Sequence, residues 1–372
     1  MSRSTILRIS IVLVIGGVLG VLIYFSPAYF SAKDETPKYV KLNTGGTSVV
    51  HAIVENRWKT AYRKHKNIDV VYESTGSTVG VKQMIDKKVA IGFVHAAMTD
   101  DQKKDAQAKG GEVVHIPIVL CAVAPVYNVK ELKGKPPLKF TSEVLAKIYL
   151  GDITTWNDPS LQKLNEGVPL PDTKITVVHR EDSSGTTFIF TDYLAGASET
   201  WPKETKDAWQ QKIGAAKNEI KWPVGVAKPR NEGVAYFVHD TEGAIGYVDL
   251  VHAIGYHLDY AAVQNTDQTA FIHATPENMT AAAKELGADI PEDLTFKLTN
   301  KPGKDSYPIC GAIWAILYQN QPASGQPMVV EFLDWVLHDG QEFANPTSYA
   351  PLPAELVTRA EQKLKAIKSE AK

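Results

Sequence analysis

The sequence predicts an α/β fold of two domains with a cleft between them, and three observations carry the prediction. Strand-like and helix-like segments alternate from Tyr39 onward, the pattern of largely parallel sheets covered by helices. Two long apolar, β-branched runs, "VVHIPIVLCAVAPVYN" (113–128) and "SYPICGAIWAILY" (306–318), bracket the middle of the chain. A chain that leaves one domain, builds a second and returns would carry such runs at its two crossings, and a ligand would sit between the domains. The length, 372 residues, suits two domains or one large one.

Each element follows from its own pattern. "YVKLN" reads as a strand and "TSVVHAIVENRWKTAYRKH" as an amphipathic helix; "IDVVYES" is a second strand, "VGVKQMIDKKV" a second helix and "AIGFV" a third strand. Pro117 and Pro125 are expected to break the long apolar run that follows. In the middle section "SEVLAKIYLG" is helical, "KITVVHR" a strand and "TTFIFTDYLAG" a helix, and "GAIGYVDLVHAI" is apolar around its glycines. The helix "MVVEFLDWVLHDGQEFA" follows the second apolar run.

Composition narrows the function classes. Hydrophobic residues make up 44% and charged residues 22% of the chain, enough to bury a real core. The net charge of −2 supplies no global basic field, so nucleic acid is not an expected partner and any bound anion must be held by local groups.

The N-terminus is an export signal. Arg3 and Arg8 precede an apolar run without a charge from Ile9 to Ala32. The run is long enough to span a bilayer, and "SPA" ending at Ala28 offers small residues for cleavage, so residues 1–32 are either a cleaved signal peptide or a membrane anchor. The region holds no cysteine for a lipid anchor. The positive-inside rule places everything after Lys33 outside the cytoplasm. The only cysteines, Cys121 and Cys310, are either small buried apolar side chains or an oxidised pair.

Three turns repeat one chemistry. "NTGGTS" (43–48), "STGST" (74–78) and "DSSGTT" (182–187) each follow a strand-like run and open a helix-like one. A helix start carries unpaired N–H groups and a positive dipole end, glycine permits close approach, and hydroxyls add donors. Three such starts converging would cradle a small anion, and Arg180 would add a bidentate fork, with Asp182 either orienting it or simply capping the following helix. Each turn alone is equally an ordinary helix cap.

Enzyme motifs are lacking. No G-x-S-x-G elbow, nucleotide P-loop or H-E-x-x-H zinc motif occurs, so neither catalysis nor a cofactor is expected. A Ser184 nucleophile with His95 or His179 is allowed by spacing alone. His252, His257 and Asp259, the densest histidine group, read as surface or satisfied residues.

The block "GDITTWNDPSLQKLNEGVPLPDTKITVVHREDSSGTTFIFTDYL", with "KWPVG", "NEGVA", "GAIGYV", "DSYPI" and "SYAPLP", resembles the substrate-binding proteins of the Pst-type phosphate ABC importer, in order and spacing from about residue 39 to 360. The resemblance implies a two-lobed periplasmic-binding-protein fold of type II, two α/β domains joined by two hinge strands. Lobe I would comprise residues 33–127 and 306–372, and lobe II residues 128–305. It also implies a monomer that closes over one phosphate ion and delivers it to a permease driven by a cytoplasmic ATPase. An anchored sensor or adaptor that binds an oxyanion without feeding transport is the alternative.

Carried over residue by residue, the family's ligands fall on Arg180 with Asp182 behind it, on Ser184, Gly185 and Thr186, and on Ser77, where "GSTVG" replaces the usual second glycine with Val79. The first wall, "TGGTSVV", departs from the family's "GAGSTFP": Ser48, with Thr47 beside it, is expected to supply the hydroxyl, although a gapless alignment puts Val49 there. The sharpest departure is His95 in "IGFVHAAM", where the family has an aspartate touching the ion. An aspartate accepts the proton of phosphate and repels sulfate; imidazole accepts one hydrogen bond when neutral and only donates when charged. His95 therefore predicts weaker discrimination against sulfate, with sulfate competing more as pH falls through the imidazole range.

Overall fold

The long apolar runs are the spine of the molecule. The computed structural model describes residues 39–182, 184–201, 222–287, 290–323 and 325–369; the proposed signal or anchor at 1–32 lies outside them. Among the described residues no helix is long and apolar enough to cross a membrane.

The strands, in chain order, are β1 (Val40–Gly46), β2 (Ile68–Ser74), β3 (Ile91–Val94), β4 (Val113–Asn128), β5 (Lys139–Phe140), β6 (Thr176–Arg180), β7 (Val226–Lys228), β8 (Ala244–Asp249), β9 (Asp259–Tyr260), β10 (Ala262–Gln264), β11 (Phe271–Ile272), β12 (Cys310–Tyr318), β13 (Asn320–Gln321) and β14 (Lys368–Ser369). Hydrogen bonding runs in the order β2-β1-β3-β12-β4-β8-β6-β7, with β9 also on β4. β1, β2 and β3 pair in parallel, as do β6, β7 and β8. Between these groups β12 pairs antiparallel with β3 and β4.

β4 is one strand of 16 residues, where its prolines were expected to break it. Pro117 lies opposite Trp314, where the β4–β12 register shifts, so the bulge absorbs the missing N–H. Pro125 pairs with Tyr247, and its carbonyl accepts from Ala261 N–H at 3.0 Å. Residues 113–122 of β4 pair with β12, and residues 123–128 pair with β8, so one strand serves both halves of the sheet. Cys121 lies opposite Gly311, and Cys310 opposite Ala122. Both cysteines are buried free thiols, so the apolar reading holds, and burial pushes the Cys310 thiol up to about 12.

Helices close the two faces. The helix predicted over 47–65 forms between Ser48 and Lys66 as a chain of 3-10, α and π segments. It buries Trp58 and Tyr62; Trp58 Nε1 donates to Gly340 O at 2.8 Å, and Tyr62 meets Phe332 edge-on with ring centroids 5.1 Å apart. That apolar face thereby docks on the helix Gln326–Leu337.

Close packing at the end of β1 depends on glycine. Gly46 has φ +136°, and a Cβ there would lie 2.2 Å from Phe93 O; a Cβ on Gly80 would lie 2.5 Å from the Gly46 Cα. Gly46→Ala is therefore both strained and obstructed by backbone. It should lower stability by about 1–3 kcal/mol, read as a lower midpoint in urea unfolding.

Candidate functional site

The site forms where several strands end together. β1, β2, β3, β6 and β8 all finish at one region, outside the carboxyl ends of parallel strands, where α/β sheets bind their ligands. β1, β2, β3 and β6 each lead into one piece of the predicted cradle, and β8 ends on Asp249.

At the end of β1, Thr47 N–H donates to Phe93 O at 2.9 Å, which seats Thr47 beside the end of β3. The Tyr72 phenol donates to Thr47 O. Thr47 Oγ1 lies 2.7 Å from His95 Nδ1 and accepts from Val49 N at 3.3 Å, capping the short helix Ser48–Val50. Thr47 thus turns its hydroxyl to His95, and Ser48, the favoured ligand, is buried next to it. At the end of β2, Gly46 O accepts from both Thr75 and Gly76 N–H, and Gly76, with φ +91°, turns the chain into the helix Ser77–Ile85. Ser77 Oγ comes within 3.5 Å of His95 Nδ1.

The third wall follows β6. Arg180 is buried, and its Nε and Nη2 donate to the two Asp182 carboxylate oxygens at 2.9 and 2.6 Å. Asp182 also accepts from Arg230 N at 2.8 Å. Its partial burial pushes the Asp182 carboxyl up, but the Arg180 guanidinium and the backbone donors outweigh this and hold it below its usual 3.8. A carboxyl depressed in the folded state contributes stability above pH 3.8 and loses it as the pH falls through the folded value. Wild-type stability should therefore fall more steeply below pH 3.8 than that of Asp182→Asn, as measured by urea unfolding across the acid range. Equal acid limbs would contradict this role.

Beyond Asp182, Ser184 caps the helix Gly185–Ala197, its Oγ accepting from Thr187 N at 3.3 Å. Thr186 Oγ1 lies 3.4 Å from Arg180 Nη1 and donates to Asp249 Oδ2 at 3.0 Å. His179 is turned aside: Nδ1 lies 3.2 Å from Arg180 O and the ring stacks on Trp222 at 5.1 Å. Ser184 Oγ accepts at its own helix start while His179 is engaged with Arg180 O and Trp222.

The three turns do converge, and they converge on His95. The imidazole is 2% exposed, with the Thr47 and Ser77 hydroxyls at Nδ1 and Asp249 Oδ1 3.8 Å from Nε2. Gly185 packs directly on it, since a Cβ there would lie 2.3 Å from His95 Cβ and 2.6 Å from Nδ1. The side chain that replaces the expected aspartate is the hub of the cradle. It takes up hydroxyls the sequence reading assigned to an anion, while Arg180 and the start of the helix Gly185–Ala197 form the cradle's cationic and donor-rich side.

Asp249 and Asn231 were missed by sequence reasoning. Asn231 Nδ2 donates to Asp249 Oδ2 at 2.5 Å, and Asp249 N–H donates back to Asn231 Oδ1 at 3.3 Å. Both residues are fully buried. "NEGVA" entered only through the resemblance and "GAIGYVDLVHAI" as an apolar run around its glycines, and neither Asn231 nor Asp249 carried a spacing signal of its own.

A family model described as a PBP superfamily domain matches residues 31–339. The phosphate-binding protein PstS of Xylella fastidiosa is 33% identical over 329 residues, 88% of this chain and 85% of that relative. The chain belongs to the PstS family. The PstS of Pasteurella multocida is 34% identical over 337 residues, covering 90% of this chain and 93% of the relative. Among solved structures, a high-affinity periplasmic phosphate-binding protein bound with phosphate superposes with a TM-score of 0.64 at 17% identity, over 87% of this chain and 93% of that one. At that identity the likeness concerns the fold, which is the two-lobed periplasmic-binding-protein fold. In PstS terms, the long strand β4 is shared by both halves of the sheet, and the cradle lies where those halves meet.

Proposed function

We propose that this chain is the extracytoplasmic receptor of an ABC importer, capturing inorganic phosphate between its two lobes. The observation that carries the reading is the convergence of three hydroxyl-bearing turns and a carboxylate-oriented arginine at one buried place, in a chain of the PstS family. Arg180 forks onto the ion, Ser184, Gly185 and Thr186 offer hydroxyls and amides, and Thr47, Ser48 and Ser77 close the opposite wall. His95 takes the place of the family aspartate. The transfer of the strand β4 from β12 to β8 supports lobe boundaries near residues 127 and 306. The role is binding and delivery rather than catalysis, carried out by a monomer that hands the ion to permease subunits served by a cytoplasmic ATPase.

The protein acts outside the cytoplasm, held at the membrane by residues 9–32 where that run is retained; mass spectrometry of the mature N-terminus decides between anchor and cleaved signal. Deleting the gene should abolish uptake of labelled phosphate at low external phosphate. Unchanged uptake would contradict the importer role and favour the sensor.

A further inference from the structure

Three strands that end or cross beside the cradle bring an imidazole, a thiol and a carboxylate together. His95 follows β3, Cys121 lies within β4, and Asp249 ends β8. One ligand atom from each lies within 4.8 Å of the other two, and all three residues are buried. Two of the atoms are also unsatisfied. His95 Nε2 and Asp249 Oδ1, in side chains 1% and 2% exposed, have no hydrogen-bond partner among the described residues and stand 3.8 Å apart. A buried polar atom without a partner is destabilising, so two orphans facing each other beside a thiol call for a common partner.

We propose that His95 Nε2, Cys121 Sγ and Asp249 Oδ1 bind one divalent transition-metal ion of the zinc type. Imidazole, thiolate and carboxylate are the ligand types that zinc and cobalt accept in tetrahedral sites, and three protein ligands leave one position open. Zinc–ligand bonds of about 2.0–2.3 Å in tetrahedral array put ligand atoms roughly 3.4–3.6 Å apart. The 3.8 Å between Nε2 and Oδ1 therefore needs only a few tenths of an ångström of closure.

The surrounding groups hold the ligands as a metal site requires. A metal-binding histidine usually gives its other ring N–H to a fixed acceptor. Thr47 Oγ1, 2.7 Å from Nδ1, is placed to accept that proton, which leaves the Nε2 lone pair free. Asp249 Oδ2 is held by Thr186 and Asn231, which aims Oδ1 at the pair. Cys121 lies against the Asp249 charge, and burial together with that charge keeps its thiol protonated in the metal-free protein. A bound dication reverses this preference and displaces the thiol proton to solvent. A cavity of about 340 Å³ touches His95, Gly311 and Trp314 and gives a route to the imidazole.

The test titrates Co²⁺ into the chelator-treated full chain in phosphate-free buffer. One equivalent should bind with an intense near-ultraviolet thiolate-to-cobalt absorption and release of a proton in weakly buffered solution, and Zn²⁺ should then displace the cobalt without further proton release. Cys121→Ser should remove the absorption and weaken binding at least about tenfold, while Cys310→Ser keeps both. Asp249→Asn should weaken binding with the absorption retained. A folded wild-type chain that takes up no Co²⁺, or an absorption that survives in Cys121→Ser, would overturn the site. Phosphate binding is read separately in metal-free protein, so failure of the metal site and failure of the oxyanion reading remain distinct.

Discussion

Arg180→Ala should weaken phosphate binding by about 2–5 kcal/mol, roughly thirtyfold to several-thousandfold in Kd. The guanidinium is buried, and Asp182 fixes it through two hydrogen bonds, so its remaining donors are oriented before any ion arrives. Such preorganisation lets the charge act on the anion without losing side-chain freedom on binding. Removing it also leaves Asp182, already among the acidic groups near the cradle, without its partner. Arg180→Lys should fall between the two, because an ammonium keeps the charge and loses the fork. Calorimetry with a circular-dichroism check on folding reads the result; a Kd within about threefold of wild type would remove Arg180 from the site.

The second large effect is expected at His95. His95→Asp should raise the preference for phosphate over sulfate by at least about tenfold, or about 1.4 kcal/mol. A carboxylate accepts the proton that phosphate carries at neutral pH, and it faces sulfate with a like charge and no proton to receive. The loss of the ring also releases the Thr47 and Ser77 hydroxyls that now meet at Nδ1. Competition titrations of phosphate against sulfate decide; equal selectivity in both proteins would make His95 a bystander to anion choice.

Much of the architecture was legible because the signals are local. β2 spans the residues that "IDVVYES" marked, and the helices that open at Ser77 and Gly185 begin at the glycine- and hydroxyl-bearing turns that announced them. The two apolar runs proved to be neighbouring strands of one sheet. Pro117 misled because a proline inside a strand is tolerated at a bulge, and the bulge is a property of the β4–β12 pair that no single segment encodes. The contact of Thr47 with His95 was not legible because the turn after Gly46 depends on how closely β1 and β3 approach.

The grouping of His95 with Asp249 and Cys121 was invisible for a similar reason. These residues come from three strands, and β4 brings them together only by passing from one half of the sheet to the other. The same crossing makes His95 the centre of the cradle. From the sequence it was one altered position in a wall; in the fold it meets both hydroxyl turns, the helix start at Gly185 and a buried carboxylate.

Isothermal calorimetry of the purified protein with phosphate, arsenate and sulfate in turn tests the central claim most directly. Saturable one-to-one binding of phosphate, weakened at least about thirtyfold by Arg180→Ala, is the predicted result; a folded protein giving no heat with any of the three anions would contradict it.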